Sequence, residues 1–151
     1  MEILVWIYVK IVVFMVKQIE FLLQARRRGC HLVTGEILRH LPELPEMGLL
    51  NLFVKHTSCG LAINENADPD VRHDLDKLLD RFAPEGEPYY RHTLEGLDDM
   101  PAHAKSVLAG VSLTIPITAR RLNLGTWQGI YLCEFRDEPS ARRIVATVMG
   151  D

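Results

Sequence analysis

The stretch Leu49–His56, LLNLFVKH, sets the frame for the rest of the chain. Leu50, Leu52 and Val54 share one face of an extended segment, while Asn51 and Lys55 mark the other, the period-two pattern of a half-buried strand. His56 continues the apolar face and is expected to point inward at the strand's end. Thr57 and Ser58 turn the chain into a second strand, Gly60–Asn64. A helix follows, with Asp68 as its cap, Pro69 as its first residue and Asp70 complementing the helix dipole. Val71, Leu75, Leu78, Leu79 and Phe82 form one stripe at helical spacing, which reads as core; Asp74, Asp76, Lys77, Asp80 and Arg81 form a solvated face.

Outward from this unit, residues 15–25 read as a strand ended by Arg26-Arg27-Arg28 and Gly29. A short extended piece then leads to Thr34, which is expected to cap a brief helix holding Ile37, Leu38 and Leu41 before Pro42. Downstream, residues 83–98 are rich in Pro, Gly and Glu and form the longest irregular stretch, the kind of loop that is usually functional or disordered. A helix is expected from about Pro101 to Gly110, followed by strands Ser112–Ile117, Thr126–Arg136 and Arg143–Met149. Residues 1–14 are almost wholly apolar, too short for the roughly 20 residues of a bilayer span. They also lack the features of a signal peptide, and read as an extension outside a domain of residues 15–151.

The chain has 151 residues, of which 48% are hydrophobic and 25% charged, values typical of one soluble globular domain. A formal net charge of -3 argues against nucleic acid or an anionic membrane as partner. The three cysteines, Cys30, Cys59 and Cys133, have no C-x-x-C spacing and read as buried free thiols of a cytoplasmic protein, with Cys59 near His56 as a nucleophile or ligand in the alternative.

Three histidines carry most of the chemistry. His56 in HTSCG, His92 in YRHT and His103 in DDMPAHAK each stand beside small polar or acidic residues and are expected to converge on one pocket. Imidazole is the commonest metal ligand and the usual base near neutral pH, so metal binding and proton transfer are both open. Glu134 lies in WQGIYLCEF, apolar on both faces, and is expected to be buried. It is either in a structural ion pair, with an arginine such as Arg72 or Arg120, or a ligand or general base. In the polar segment Asn64-Glu65-Asn66-Ala67-Asp68, Glu65 and Asn66 are surplus to capping and stand at a helix N-terminus, where an anionic group can be held. Thr57 and Ser58 offer hydroxyls. Of Asp98 and Asp99, one is expected to cap the second helix and the other to be free for a cation.

HTSCGLAINENADPDVR, YYRHTLEGLDDMPAHAKSVLAGVSLTIPI and LNLGTWQGIYLCEFRD resemble the signature stretches of the YjbQ-like proteins, also called secondary thiamine-phosphate synthase enzymes. The resemblance runs from about Met15 to the end. It implies a compact α+β domain, with a largely antiparallel or mixed sheet core and two to three helices, assembled as a homotrimer. It also implies a weak thiamine-phosphate synthase activity of the transferase type, acting on a small phosphorylated metabolite. By position, the family's polar signature falls on His56, Thr57, Ser58, Asn64, Glu65, Asn66, Asp68, His92, Asp98, Asp99, His103, Gln128 and Glu134. On that basis His56, His92 and His103 are expected to hold a divalent metal, zinc or magnesium, or the phosphate end of a substrate. Glu134, Asp99 and His103 are the expected catalytic groups, and Thr57, Ser58, Asn64, Glu65, Asn66 and Gln128 are expected to bind substrate. The alternatives are a metal-dependent hydrolase of a phosphorylated metabolite and a non-catalytic module that binds a metabolite or metal. The segment Ala119-Arg120-Arg121-Leu122 departs from the family's N-G-R-L turn.

Overall fold

Strand patterning and helix stripes assemble into three layers in the computed structural model, which describes residues 14–151. Of the expected extension, residues 1–13 lie outside the described residues. The first layer is a five-stranded antiparallel sheet ordered β1-β8-β3-β5-β6, from β1 (Met15–Leu23), β8 (Arg142–Gly150), β3 (Met47–Val54), β5 (Ser112–Thr118) and β6 (Arg121–Leu122). The second is a three-stranded antiparallel sheet ordered β2-β7-β4, from β2 (Gly29–Leu32), β7 (Gln128–Glu134) and β4 (Cys59–Glu65). Helices α2 (Pro69–Phe82) and α3 (Asp99–Ala109) cover the outer face of the smaller sheet, and α1 (Thr34–His40) closes one edge.

Alternation along β7 explains the layering. Ile130 and Leu132 enter the main core against Leu50, Leu52, Ile115, Ile144 and Ala146 of the larger sheet. Tyr131, Cys133 and Phe135 point the other way, into a second core under α2 and α3 with Cys30, Ala102, Leu75 and Leu79. Each fully buried aliphatic side chain contributes about 1.5–3 kcal/mol, so the strand that serves two cores is the one read as apolar on both faces.

Several boundaries differ from the sequence expectation. The first strand ends at Leu23, and the last but one runs from Gln128 to Glu134, shorter at both ends than expected. Thr34 does not cap α1: Val33 holds the cap position, and the Thr34 hydroxyl accepts a hydrogen bond from the Ile130 amide at 2.8 Å. The α2 stripe is only partly core, because the smaller sheet is too narrow to cover it. Leu75 and Leu79 pack against the second core, while Leu78 is 60% and Phe82 65% exposed. The unexpected strand β6 returns from β5 through Ala119 and Arg120, with φ of 49° and 60°.

The approach of α3 to β4 sets the functional end of the molecule. A Cβ at Gly60 would fall 2.5 Å from the Ala109 Cβ, so only glycine admits the helix at this depth. Ser106 Oγ donates to the Cys59 carbonyl at 2.7 Å and the Leu61 amide to the Gly110 carbonyl at 2.9 Å, fixing the helix along the strand.

Candidate metal centre

Helix α3 presents Asp99 in its first turn and His103 one turn later, on the same face. The irregular stretch before it folds back so that His92 joins them. His92 Nε2 lies 2.6 Å and His103 Nε2 3.3 Å from Asp99 Oδ2. One ligand atom from each of the three residues falls within 4.8 Å of the other two. A tetrahedral ion with metal–ligand distances of about 2.0–2.2 Å needs ligand separations of about 3.3 Å, so the cluster needs only a small opening to hold one. Glu95 Oε2 is 3.1 Å from His92 Nε2, next to the cluster but outside the group of three mutually close ligand atoms.

The surrounding groups aim these ligands. His103 Nδ1 meets the Thr57 carbonyl at 2.9 Å, which fixes the ring and leaves Nε2 for the cluster. Arg136 spans the site. Its Nε donates to Asp98 Oδ2 at 2.7 Å, one terminal nitrogen to Asp99 Oδ1, and the other to the Glu95 carbonyl at 2.8 Å. Asp99 is buried, which pushes its carboxyl up. The hydrogen bond from His92 and the charges of Arg136 and His103 outweigh this and hold it below the ordinary value. An ionised oxygen turned to two imidazoles is what a divalent cation requires. Neither Asp98 nor Asp99 caps α3 through its side chain, contrary to expectation: Asp98 accepts from Arg136 and from the Asp137 amide at 3.0 Å.

His56 stands apart from this cluster. Its Nε2 accepts the Arg143 amide at 2.8 Å, prolonging the β3–β8 pairing, and its Nδ1 faces Arg142 at 3.4 Å. Burial, followed by the charge of Arg142, lowers its pKa below the ordinary value. With His103, Thr57, Ser106, Val107, Gly110 and Val111 it instead lines a neighbouring cleft of about 430 Å³. Glu134 is fully buried between the sheets, where Arg142 Nε reaches its Oε2 at 2.6 Å and the amides of Phe135 and Arg136 reach its Oε1 at 3.0 Å each. Its partner is therefore Arg142, not Arg72 or Arg120, and that guanidinium engages both carboxylate oxygens. Burial pushes the Cys59 thiol up to about 12, so it is a protonated core residue at neutral pH and not a nucleophile.

The expected substrate-binding residues divide. Thr57 borders the cleft and Ser58 sits beside it in the turn. Asn64, Glu65, Asn66 and Gln128 lie at the other end of the smaller sheet, where Glu65 pairs with Gln128 while Cys59 pairs with Glu134. Six strand residues at about 3.3 Å each place the two groups roughly 20 Å apart. Arg136 and Glu95 were not singled out from sequence. Arg136 follows Glu134 on the way out of β7, a position that carries no local motif.

The model of the family described as UPF0047 protein YjbQ-like matches residues 17–151, and the chain belongs to that family. The UPF0047 protein YjbQ of Escherichia coli O157:H7 is 48% identical over 131 residues, covering 85% of this chain and 94% of that one. A UPF0047 protein of Synechocystis is 51% identical over 104 residues, covering 69% and 71%. The crystal structure of a conserved hypothetical protein, TT1486, from Thermus thermophilus superposes with a TM-score of 0.74 at 39% identity, covering 84% of this chain and 97% of that one. A YbjQ-like protein of unknown function from Sulfolobus solfataricus P2 gives a TM-score of 0.78 at 22% identity, covering 92% and 100%, which supports the fold alone. These relationships correct the expected activity. The family is described without an activity, so thiamine-phosphate synthesis is not carried to this chain. A non-catalytic binding module, one of the sequence-based alternatives, is compatible with these relationships.

Proposed function

We propose that this chain is a divalent-metal-binding module whose ion is held by His92, Asp99 and His103. The carrying observation is the convergence of the three ligand atoms within 4.8 Å, with each of two ligands already oriented by a second group. Two imidazoles and one carboxylate suit zinc. They leave at least one coordination position for Glu95, for water, or for an oxygen of a small anionic metabolite. Arg136 contributes by keeping Asp99 ionised and turned to the ion; charge-assisted bonds of this kind are worth about 1.5–3 kcal/mol each.

The assembly is a homotrimer in this reading. In support, the outer face of the larger sheet carries the apolar cross-strand row Val16, Met149, Leu49 and Pro116, with no helix packed over it among the described residues. Three free thiols fit the reducing conditions of the cytoplasm. Among the described residues, no helix is long and apolar enough to cross a membrane. Calorimetric titration with zinc tests the assignment. One ion per chain is expected for the native protein and for His56→Ala, and none for Asp99→Ala or His103→Ala. Equal binding by all four would overturn it.

A further inference from the structure

Trp127 is a large aromatic side chain held on a rigid frame and left 65% exposed. Asn66 clamps the backbone beneath it. The Asn66 amide donates to the Trp127 carbonyl at 2.9 Å, and its Nδ2 donates to the carbonyls of Thr126 at 3.2 Å and Gln128 at 3.0 Å. Gln128 Oε1 accepts the Gly125 amide at 2.8 Å, closing the turn from the other side. On the facing strand, the Tyr131 hydroxyl donates to the Glu65 carbonyl and the Glu65 amide donates to Asn64 Oδ1 at 2.8 Å. Most of the local hydrogen-bonding capacity fixes the backbone, while the indole has little packed around it.

The groups left over face one hollow. Ile63, Asn64, Glu65, Trp127 and Gln128 line it, with a volume of about 450 Å³. Among the described residues Asn64 Nδ2, Gln128 Nε2 and the Glu65 carboxylate have no hydrogen-bond partner. Two donors and one acceptor therefore surround a flat apolar face. No cation lines the hollow and Glu65 brings a carboxylate to it, so a phosphate would meet no opposite charge there. We propose that this hollow is a second binding site, separate from the histidine cluster, for an uncharged ring with an apolar face and adjacent hydrogen-bonding groups on its rim. The ring stacks on Trp127, the two amides donate to its acceptors, and Glu65 accepts from its donor. Nitrogen heterocycles and sugar rings both have this chemistry. The proposal does not depend on the metal reading.

The chain contains two tryptophans, so Trp6→Phe leaves Trp127 as the only indole reporter. The emission of this full-length variant is followed during titration with adenosine, cytidine, methyl glucoside and cytidine monophosphate, and with acrylamide alone. Acrylamide should quench Trp127 freely. A saturable response to a nucleoside identifies a heterocycle, and one to the glucoside a sugar; either supports the site. Glu65→Gln should weaken that response about tenfold while leaving the denaturation midpoint within error, since it removes one charge-assisted bond. Asn66→Ala should weaken it through loss of the clamp. Three results would overturn the proposal: no saturable response to any uncharged ring, tighter binding of the monophosphate than of cytidine, or protection of Trp127 from acrylamide by a second copy of the chain.

Discussion

Replacing Arg142 by methionine should destabilise the protein by about 3–5 kcal/mol, the usual cost of removing one member of a buried ion pair. Glu134 is fully buried and Arg142 is 4% exposed. The guanidinium grips both carboxylate oxygens, and the Phe135 and Arg136 amides complete the shell. Without Arg142 the carboxylate keeps only two amide donors in a site that water does not reach. For a chain of this size each kcal/mol shifts Tm by about 3 °C, so a loss of about 10–15 °C is expected. The double variant Glu134→Leu/Arg142→Met should recover most of it, because a buried pair exchanged for apolar groups of similar volume is often neutral or better. Urea denaturation of the three proteins measures both effects. If Arg142→Met loses less than about 1 kcal/mol, Glu134 is hydrated or protonated without cost, and the assignment of Glu134 as a structural anchor fails. Glu134→Gln should also leave zinc affinity near native, since Glu134 lies outside the ligand cluster.

Three other predictions rest on separate parts of the structure. Arg120→Gly should raise stability by about 1 kcal/mol in thermal denaturation, because it relieves a non-glycine residue at φ 60° and gives up only exposed contacts with Glu43 and Glu46. Gly60→Ala should cost about 1–3 kcal/mol and also weaken zinc binding, since the new methyl meets the Ala109 Cβ at 2.5 Å and must shift α3, which carries His103; unchanged affinity would show that the helix position does not set the site. His56, facing Arg142, Arg143 and Glu134, has its folded-state pKa held below 6.5. The unfolded chain therefore takes up its proton first as pH falls. The contribution of His56 to stability is complete above pH 6.5 and is lost as pH falls through the folded-state value, so His56→Gln should flatten the stability profile below pH 6.5.

The sheet and helix framework was legible where side-chain periodicity is determined by one or two buried faces. β3 alternates over a single face, and β7 reads as apolar on both because it lies between two cores. The α2 stripe misled because periodicity records hydrophobicity and not the width of the layer beneath it. At the site, His92, Asp99 and His103 were all singled out by residue type, and Asp99 and His103 are spaced by one helical turn. Their separation from His56 was not legible. It depends on His56 accepting the Arg143 amide, a contact between residues 87 apart in sequence. Arg136 and Arg142 were missed for the same reason, since each owes its role to a carboxylate that tertiary packing brings within reach.

X-ray absorption at the metal edge of the zinc-loaded protein would examine the centre most directly. The account predicts one ion per chain with two imidazole nitrogens and oxygen donors at about 2.0–2.2 Å, the bound-zinc spectrum being lost in His103→Ala and unchanged in His56→Ala. A spectrum showing three imidazoles, or one unaffected by loss of His92 or His103, would contradict it.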